Sequence, residues 1–169
     1  MKTLVTYYSR TGNTKKIAET IFKEIPQEKL IVDMKKVTID NYNDYDLIFV
    51  GFPIEKFGIN DEVQNVLGQV IQNKKVVLFI THAANESMPM VNNWLDNCKK
   101  SLHASNKLLG VFNCQGELSE VVAQNMINSG NPQLQKFAEY RHATLGQPDK
   151  SRIKKAQGFT AKIIEEYYK

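Results

Sequence analysis

A hydroxyl-rich loop near the start of the chain has the residue types of a phosphate site. The loop, Ser9-Arg10-Thr11-Gly12-Asn13-Thr14, follows a short β-rich run and leads into a helical pattern with apolar residues at Ile17 and Ile21. A helix N-terminus offers unpaired backbone N–H groups and the positive end of its dipole, so it can hold a phosphate without a lysine. The hydroxyls add donors, and Gly12 lets the backbone approach closely. A plain turn capped by Asn13 or Thr11 would use the same residue types.

Two large classes of nucleotide site are excluded by what the sequence lacks. A Walker-type site needs G-x-x-x-x-G-K-[ST] and a dinucleotide site needs G-x-G-x-x-G, and neither occurs here. An acidic pair just after the first strand, which a phospho-accepting receiver domain would need, is also absent. The loop therefore favours a phosphate ligand of another class.

The same six residues resemble the [ST]-x-T-G-x-T loop with which flavodoxins bind the monophosphate of FMN. This resemblance implies FMN as the cofactor. It also implies a doubly wound α/β fold with the ligand at the switch point of the sheet.

Along the chain, apolar β-rich runs alternate with helical patterns, which predicts a parallel sheet covered on both faces. Right-handed crossovers give a five-stranded, flavodoxin-like sheet in the order 2-1-3-4-5, with the ligand at the carboxyl ends of strands one, three and four. Residues 35–45 are too few and too polar for a full crossover helix and predict one loose turn. The predicted strands are 2–8, 29–34, 46–51, 75–81 and 107–113, and the predicted helices are 13–24, 60–72, 89–103 and a last helix from Ser151.

Length and composition limit the class of protein. The 169 residues, 42% of them hydrophobic, suit one domain over 1–169. No apolar run is long enough to span a bilayer, and Met1 leads directly into a strand, so we expect a soluble cytoplasmic protein. Cys98 and Cys114 match neither a disulfide scaffold nor a metal motif, and we expect reduced thiols.

The loop after the third predicted strand contains Phe57-Gly58 ahead of Asn60. In flavodoxins an apolar or aromatic residue of this loop covers one face of the isoalloxazine. A following glycine turns its peptide to accept a hydrogen bond from reduced flavin N5. The resemblance assigns these roles to Phe57 and Gly58, and a glycine suits a peptide that must reach positive φ. A turn at Gly58, with Phe57 on the surface and Asn60 as a helix N-cap, would also explain these residues.

The loop after the fourth predicted strand should pass the pyrimidine side of the ring and donate backbone N–H groups to it. Many flavodoxins carry a tyrosine here that stacks on the outer face, whereas residues 81–90 contain no tyrosine and offer His82 and Met88 in its place. We therefore expect an open outer face and weaker FMN binding. His82 would donate to the flavin, stack edge-on or bond a nearby carbonyl, while Met88 and Trp94 fill the core or its rim.

A long segment up to Asp149 follows the fifth predicted strand. Amphipathic stretches at 118–128 and 132–142 predict a short helical excursion before the last helix. This arrangement is similar to a flavodoxin-domain subgroup of anaerobic bacteria that includes the accessory flavodoxin of bilirubin reduction. Cys114, at the strand end, borders the flavin or closes the strand in a turn. Together the loops give as FMN-binding candidates Ser9, Arg10, Thr11, Gly12, Asn13, Thr14, Pro53, Ile54, Phe57, Gly58, Thr81, His82, Ala83, Ala84, Asn85 and Cys114.

The charge of the chain bears on its partners. Electron-shuttling flavodoxins are usually acidic, but this chain has 22 Lys and Arg against 18 Asp and Glu. The lysines are spread along the chain without interleaved aromatic residues, so no nucleic-acid partner is predicted. A redox partner with an acidic surface, or an anionic small substrate, fits the sign of the charge.

Three functions remain open. The first is an FMN-binding carrier that passes electrons between redox partners, a reductase donor and an acceptor enzyme. The second is an FMN-dependent reductase that acts on a quinone or a tetrapyrrole such as bilirubin at the open face. The third is a flavodoxin-fold binding module without cofactor, which the retained loop hydroxyls count against. No acid–base pair or nucleophile triad predicts a hydrolase or transferase.

Overall fold

A computed structural model of the chain, which describes residues 1–26 and 28–168, has a five-stranded sheet between two layers of helices. The strand order β2-β1-β3-β4-β5 and the parallel pairing of every neighbouring pair confirm the predicted topology. The strands are β1 Thr3–Tyr7, β2 Lys29–Asp33, β3 Leu47–Pro53, β4 Lys75–His82 and β5 Lys107–Gln115.

Eight helices connect and cover these strands in the described residues. They are α1 Asn13–Glu24, α2 Ile39–Asn43, α3 Asp61–Asn65, α4 Pro89–Lys100, α5 Glu120–Asn128, α6 Pro132–Glu139, α7 Arg141–Thr144 and α8 Lys150–Tyr167. None of them is both long enough and apolar enough to cross a bilayer.

The core has two layers, one on each face of the sheet. Ile17 and Ile21 of α1 pack with Ala156 and Ile163 of α8 on one face. On the other face, side chains of α2, α3 and α4 pack against the sheet. Strands buried on both faces read as continuous apolar runs, which is why the sequence located them well.

Two predicted connections differ in detail from the structure. The helix predicted over 60–72 is α3 followed by a segment with the wider turns of a π-helix, Val66–Val70. The predicted loose turn over 35–45 is a 3₁₀ turn, Met34–Lys36, followed by the short α2.

The predicted excursion after β5 is present and is built mainly from α5 and α6. These two helices pack against each other as a hairpin. A small cluster of Leu118, Ala123 and Ala138 holds them together, and Ala83 of the loop after β4 packs against it. The hairpin therefore lies over the carboxyl ends of the strands, beside the predicted site.

Candidate functional site

A large cleft opens at the carboxyl ends of β1, β3 and β4. Its volume is about 980 Å³, and it is lined by the ends of these strands and the segments that follow them, at 9–11, 13–14, 53–61 and 81–83. Open α/β sheets bind ligands at this edge, where the strand order reverses. Its wall is polar beside α1 and largely apolar beside the α5–α6 hairpin.

Gly12 makes the tight entry from the first loop into α1. Its φ of 93° lies in the left-handed region, which a glycine adopts without a Cβ penalty. The Ser9 hydroxyl oxygen accepts hydrogen bonds from the Gly12 N–H at 3.2 Å and the Lys15 N–H at 3.3 Å. Thr11 is exposed on the same loop. Hydroxyls and the amides of a helix N-terminus thus converge at one end of the cleft, which is an arrangement that binds anions.

Side-chain hydrogen bonds fasten this loop to its neighbours. The buried hydroxyls of Thr14 and Thr81 lie 2.8 Å apart and join α1 to the end of β4. The Asn13 side-chain amide donates to the Glu117 carbonyl oxygen at 2.9 Å. A Cβ at Gly116 would lie 2.7 Å from Asn13 Nδ2, so a glycine is needed for this close approach. The loop is therefore held in place before any ligand arrives.

The loop after β3 contains a tight two-residue turn at the edge of the cleft. Glu55 and Gly58 exchange two backbone hydrogen bonds of 2.9 Å. Between them, Lys56 and Phe57 have φ values of 49° and 64°, the geometry of a type I′ turn. Non-glycine residues are strained there, and such strain clusters at functional sites. Gly58 itself lies outside the left-handed region, and its carbonyl accepts from the Glu55 N–H.

Arg10 holds this turn from the other side of the cleft. Its Nε lies 2.8 Å from the Tyr8 hydroxyl and 2.7 Å from Glu55 Oε1. Asn60 donates to Glu55 Oε2 at 3.1 Å and caps α3 through the Val63 N–H. The Arg10 guanidinium is thus engaged by the turn, although Arg10 also lines the cleft.

Aromatic side chains from three elements meet across the cleft. The Phe57 ring centroid lies 6.1 Å from those of Trp94 on α4 and Phe137 on α6, and it meets Phe137 edge to face. The His82 ring lies 5.9 Å from Trp94 in a similar edge-on contact. Rings at these distances attract each other and present an apolar wall.

Both ring nitrogens of His82 have partners inside the protein. Nδ1 lies 2.9 Å from the Ala84 carbonyl oxygen, and Nε2 lies 3.0 Å from Asn113 Oδ1. Burial lowers the pKa of His82, while these hydrogen bonds oppose that shift. Of the roles open from sequence, the structure shows the bond to a nearby carbonyl.

The structure brings together most of the residues predicted for the site, but four do not line the cleft. Gly12 is exposed and makes the turn into α1, and Ala84 packs against Val91 and Trp94. The Asn85 side chain turns back to accept from Ser87. Cys114 is buried in the core layer of α1 and α8, where burial raises the pKa of its thiol to about 12. The others form the cleft wall, namely Ser9, Arg10, Thr11, Asn13, Thr14, Pro53, Ile54, Phe57, Gly58, Thr81, His82 and Ala83.

The hairpin supplies cleft residues that sequence reasoning missed. The side of the cleft next to the loop after β4 was expected to be open, but α5 and α6 wall it. The amphipathic pattern of the excursion predicted two helices and carried no signal of what they would pack against. The missed residues include Leu118, Val122, Met126, Leu134 and Phe137, whereas Trp94 of α4 lies in a small core cluster at the edge of the cleft, as expected.

A network of charged hydrogen bonds fixes the loop after β4 to the end of β5 and the start of α8. The Arg152 guanidinium donates to both carboxylate oxygens of Glu86, at 2.6 and 2.7 Å, and to the side chain of Gln147 at 2.9 Å. The Gln115 N–H also donates to Glu86, at 3.1 Å. Bidentate, charge-assisted bonds of this kind are strong. The network therefore ties the end of β5 and the start of α8 to this loop.

Comparison with known proteins places this geometry in a family. A family model described as a flavodoxin domain matches residues 4–161. The flavodoxin-like domain-containing protein BilS of Clostridioides difficile (strain CD3) is 33% identical over 172 residues, which cover 97% of each chain.

Solved structures share the fold at lower identity. Oxidised flavodoxin 2 from Bacillus cereus superposes with a TM-score of 0.64 at 16% identity, covering 99% of this chain and 100% of that one. A flavoprotein from Lactobacillus acidophilus NCFM, solved in complex with FMN, gives a TM-score of 0.52 at 23% identity, covering 66% of this chain and 92% of that one.

Proposed function

This chain belongs to the flavodoxin family, and from that membership we propose that it binds FMN in the cleft and carries electrons between redox partners. One observation carries the proposal. The hydroxyl-rich loop 9–14 leads into α1 at the carboxyl ends of β1, β3 and β4, with its conformation already held by neighbouring strands. This is the place and the chemistry that a flavin monophosphate needs.

The residues of the cleft fit each part of the cofactor. Ser9, Thr11 and the first amides of α1 would hold the phosphate, while Thr14 and Thr81 fix the loop. Phe57 and the loop after β4 would hold the ring. Bound FMN supplies the one- and two-electron chemistry. The chain contributes the orientation, an apolar surround that excludes water, and backbone groups beside the ring.

The partners would be a reductase that supplies electrons and an enzyme that accepts them. The formal net charge of +4 supports partners with acidic surfaces.

A second function is favoured by the size of the cleft. At about 980 Å³ it lies at the upper end of the range for small-molecule pockets, about 300–1,000 Å³. Together with the apolar wall, this supports an FMN-dependent reductase that admits a quinone or a tetrapyrrole beside the ring.

Titration with FMN and with riboflavin, which lacks the phosphate, tests the proposal. We expect FMN to bind far more tightly, because each charge-assisted hydrogen bond to the phosphate contributes about 1.5–3 kcal/mol. Replacing Ser9 and Thr11 together by alanine should weaken FMN binding at least tenfold, to judge from about 1.4 kcal/mol per factor of ten. Riboflavin binding should not change.

The matched control is Ser151→Ala, which removes an exposed hydroxyl from the first turn of α8, outside the cleft. It should leave both affinities unchanged. Equal affinity of the wild type for the two flavins would overturn the phosphate assignment. Failure of the wild type to bind either flavin would instead support a binding module without cofactor.

A further inference from the structure

The α5–α6 hairpin reaches into the cleft with a row of apolar side chains. Val122 and Met126 of α5 and Leu134 and Phe137 of α6 all line it. The two helices bury few other side chains, because the buried members of their cluster, among the described residues, are only Ala123, Ala138 and the preceding Leu118. The hairpin thus presents its largest inward side chains to the ligand space.

The loop after β4 is unusually small where the hairpin meets it. Ala83 lines the cleft with a methyl group, and both Met126 and Phe137 pack into the cluster around it. The His82 side chain cannot turn into the space beside Ala83, since its ring nitrogens are hydrogen-bonded to Ala84 and Asn113. Space that a large loop side chain would occupy is taken by the hairpin.

Phe137 connects this wall to the other side of the cleft. It packs with the cluster of Ala84, Val91 and Trp94 as well as with the hairpin cluster. Its ring also meets Phe57 edge to face at 6.1 Å. One side chain of the excursion therefore touches the strained turn after β3, α4 and the loop after β4.

We propose that Phe137 and Met126 form the outer wall of the flavin ring site, so that the excursion is a cofactor-binding element of this chain. The inference rests on the proposed FMN binding. It assigns to Phe137 and Met126 a contact with the ring and none with the phosphate, because neither side chain has a hydrogen-bond donor for an anion.

The experiment is titration of Phe137→Ala with FMN and with riboflavin. Loss of an aromatic ring contact should weaken the binding of both flavins by the same factor, roughly threefold to tenfold. Tyr140→Ala is the matched control, because Tyr140 follows α6, is 47% exposed and does not line the cleft. This control should leave both affinities unchanged.

Two further variants keep the test decisive. Phe137→Leu retains an apolar side chain should the alanine variant unfold, and Met126→Ala probes the wall from α5. Each variant should weaken the binding of FMN and of riboflavin by the same factor. Thermal melting of the apo-proteins checks that they are folded.

Unchanged affinities in the Phe137 and Met126 variants, with tight binding by the wild type, would overturn this inference alone. A loss confined to FMN would also overturn it, since that pattern belongs to the phosphate loop. Failure of the wild type to bind either flavin would overturn the proposed function and this inference together.

Discussion

The backbone conformation of Gly58 in the structure differs from the one that the family resemblance implies for the reduced state. In the structure its φ is outside the left-handed region, a Cβ there would meet nothing within 4 Å, and its carbonyl accepts from the Glu55 N–H. The resemblance implies a peptide that turns over when the flavin is reduced. That turnover would break the bond to Glu55 and would need a conformation that a β-branched residue resists by roughly 1–2 kcal/mol.

Gly58→Val is therefore expected to bind oxidised FMN about as well as the wild type but to shift the potential of the first reduction step to a more negative value. Potentiometric titration of the FMN-loaded proteins measures this shift, and urea unfolding of the apo-proteins checks that the turn is intact. Identical potentials in both proteins would mean that Gly58 serves only as a turn residue.

The loop after β4 depends on elements far from it in sequence, through Glu86 and Arg152. Burial alone would raise the pKa of Glu86, but hydrogen bonds from Arg152 and the Gln115 backbone outweigh it and lower the pKa from 4.5 to about 2. Since the folded-state pKa is depressed, the stabilisation is present above about pH 4.5 and is lost as the pH falls toward 2.

Arg152→Met should thus lower the free energy of unfolding at pH 7 by about 2 kcal/mol, because a partly buried carboxylate loses its partner. The difference from the wild type should shrink below pH 4.5, where Glu86 of the variant becomes protonated. Urea unfolding at pH 7 and pH 3 measures both. Lys99→Met, which breaks an exposed pair with Asp96 at 3.0 Å, is the control and should cost less than about 0.5 kcal/mol. A pH-independent loss in Arg152→Met would contradict this account.

At the scale of elements, the sequence predicted those features that depend on consecutive residues, and it missed those that depend on packing between distant segments. Most strands are rich in apolar residues and lie between two helix layers, and loop 9–14 connects β1 to α1, so the places of both were predicted from sequence. Phe137 and Met126 were missed because the amphipathic pattern of a helix shows which face is buried and not what covers it. Cys114 was assigned to the cleft from its place at a strand end. Alternate residues of a strand point to opposite faces, and Cys114 packs against α1 and α8.

At the scale of the whole molecule, the sign of the charge sets how partners approach. The formal net charge is +4, and the cations are distributed along the chain. A positive protein attracts anions over a distance that salt shortens, to about 10 Å at 0.1 M ionic strength. Approach of an electron acceptor to the cleft should therefore depend on both its charge and the salt concentration.

We expect the reduced, FMN-loaded protein to pass electrons to ferricyanide, an anionic acceptor, several-fold faster at low than at high ionic strength. A cationic metal complex should show the opposite trend, because its repulsion by the protein is screened as salt rises. Stopped-flow reoxidation across an ionic-strength series measures both, with a neutral quinone as the uncharged control. Salt-independent rates with both charged acceptors would show that net charge does not steer the encounter. If the neutral quinone were also turned over with saturation, the carrier proposal would give way to the reductase.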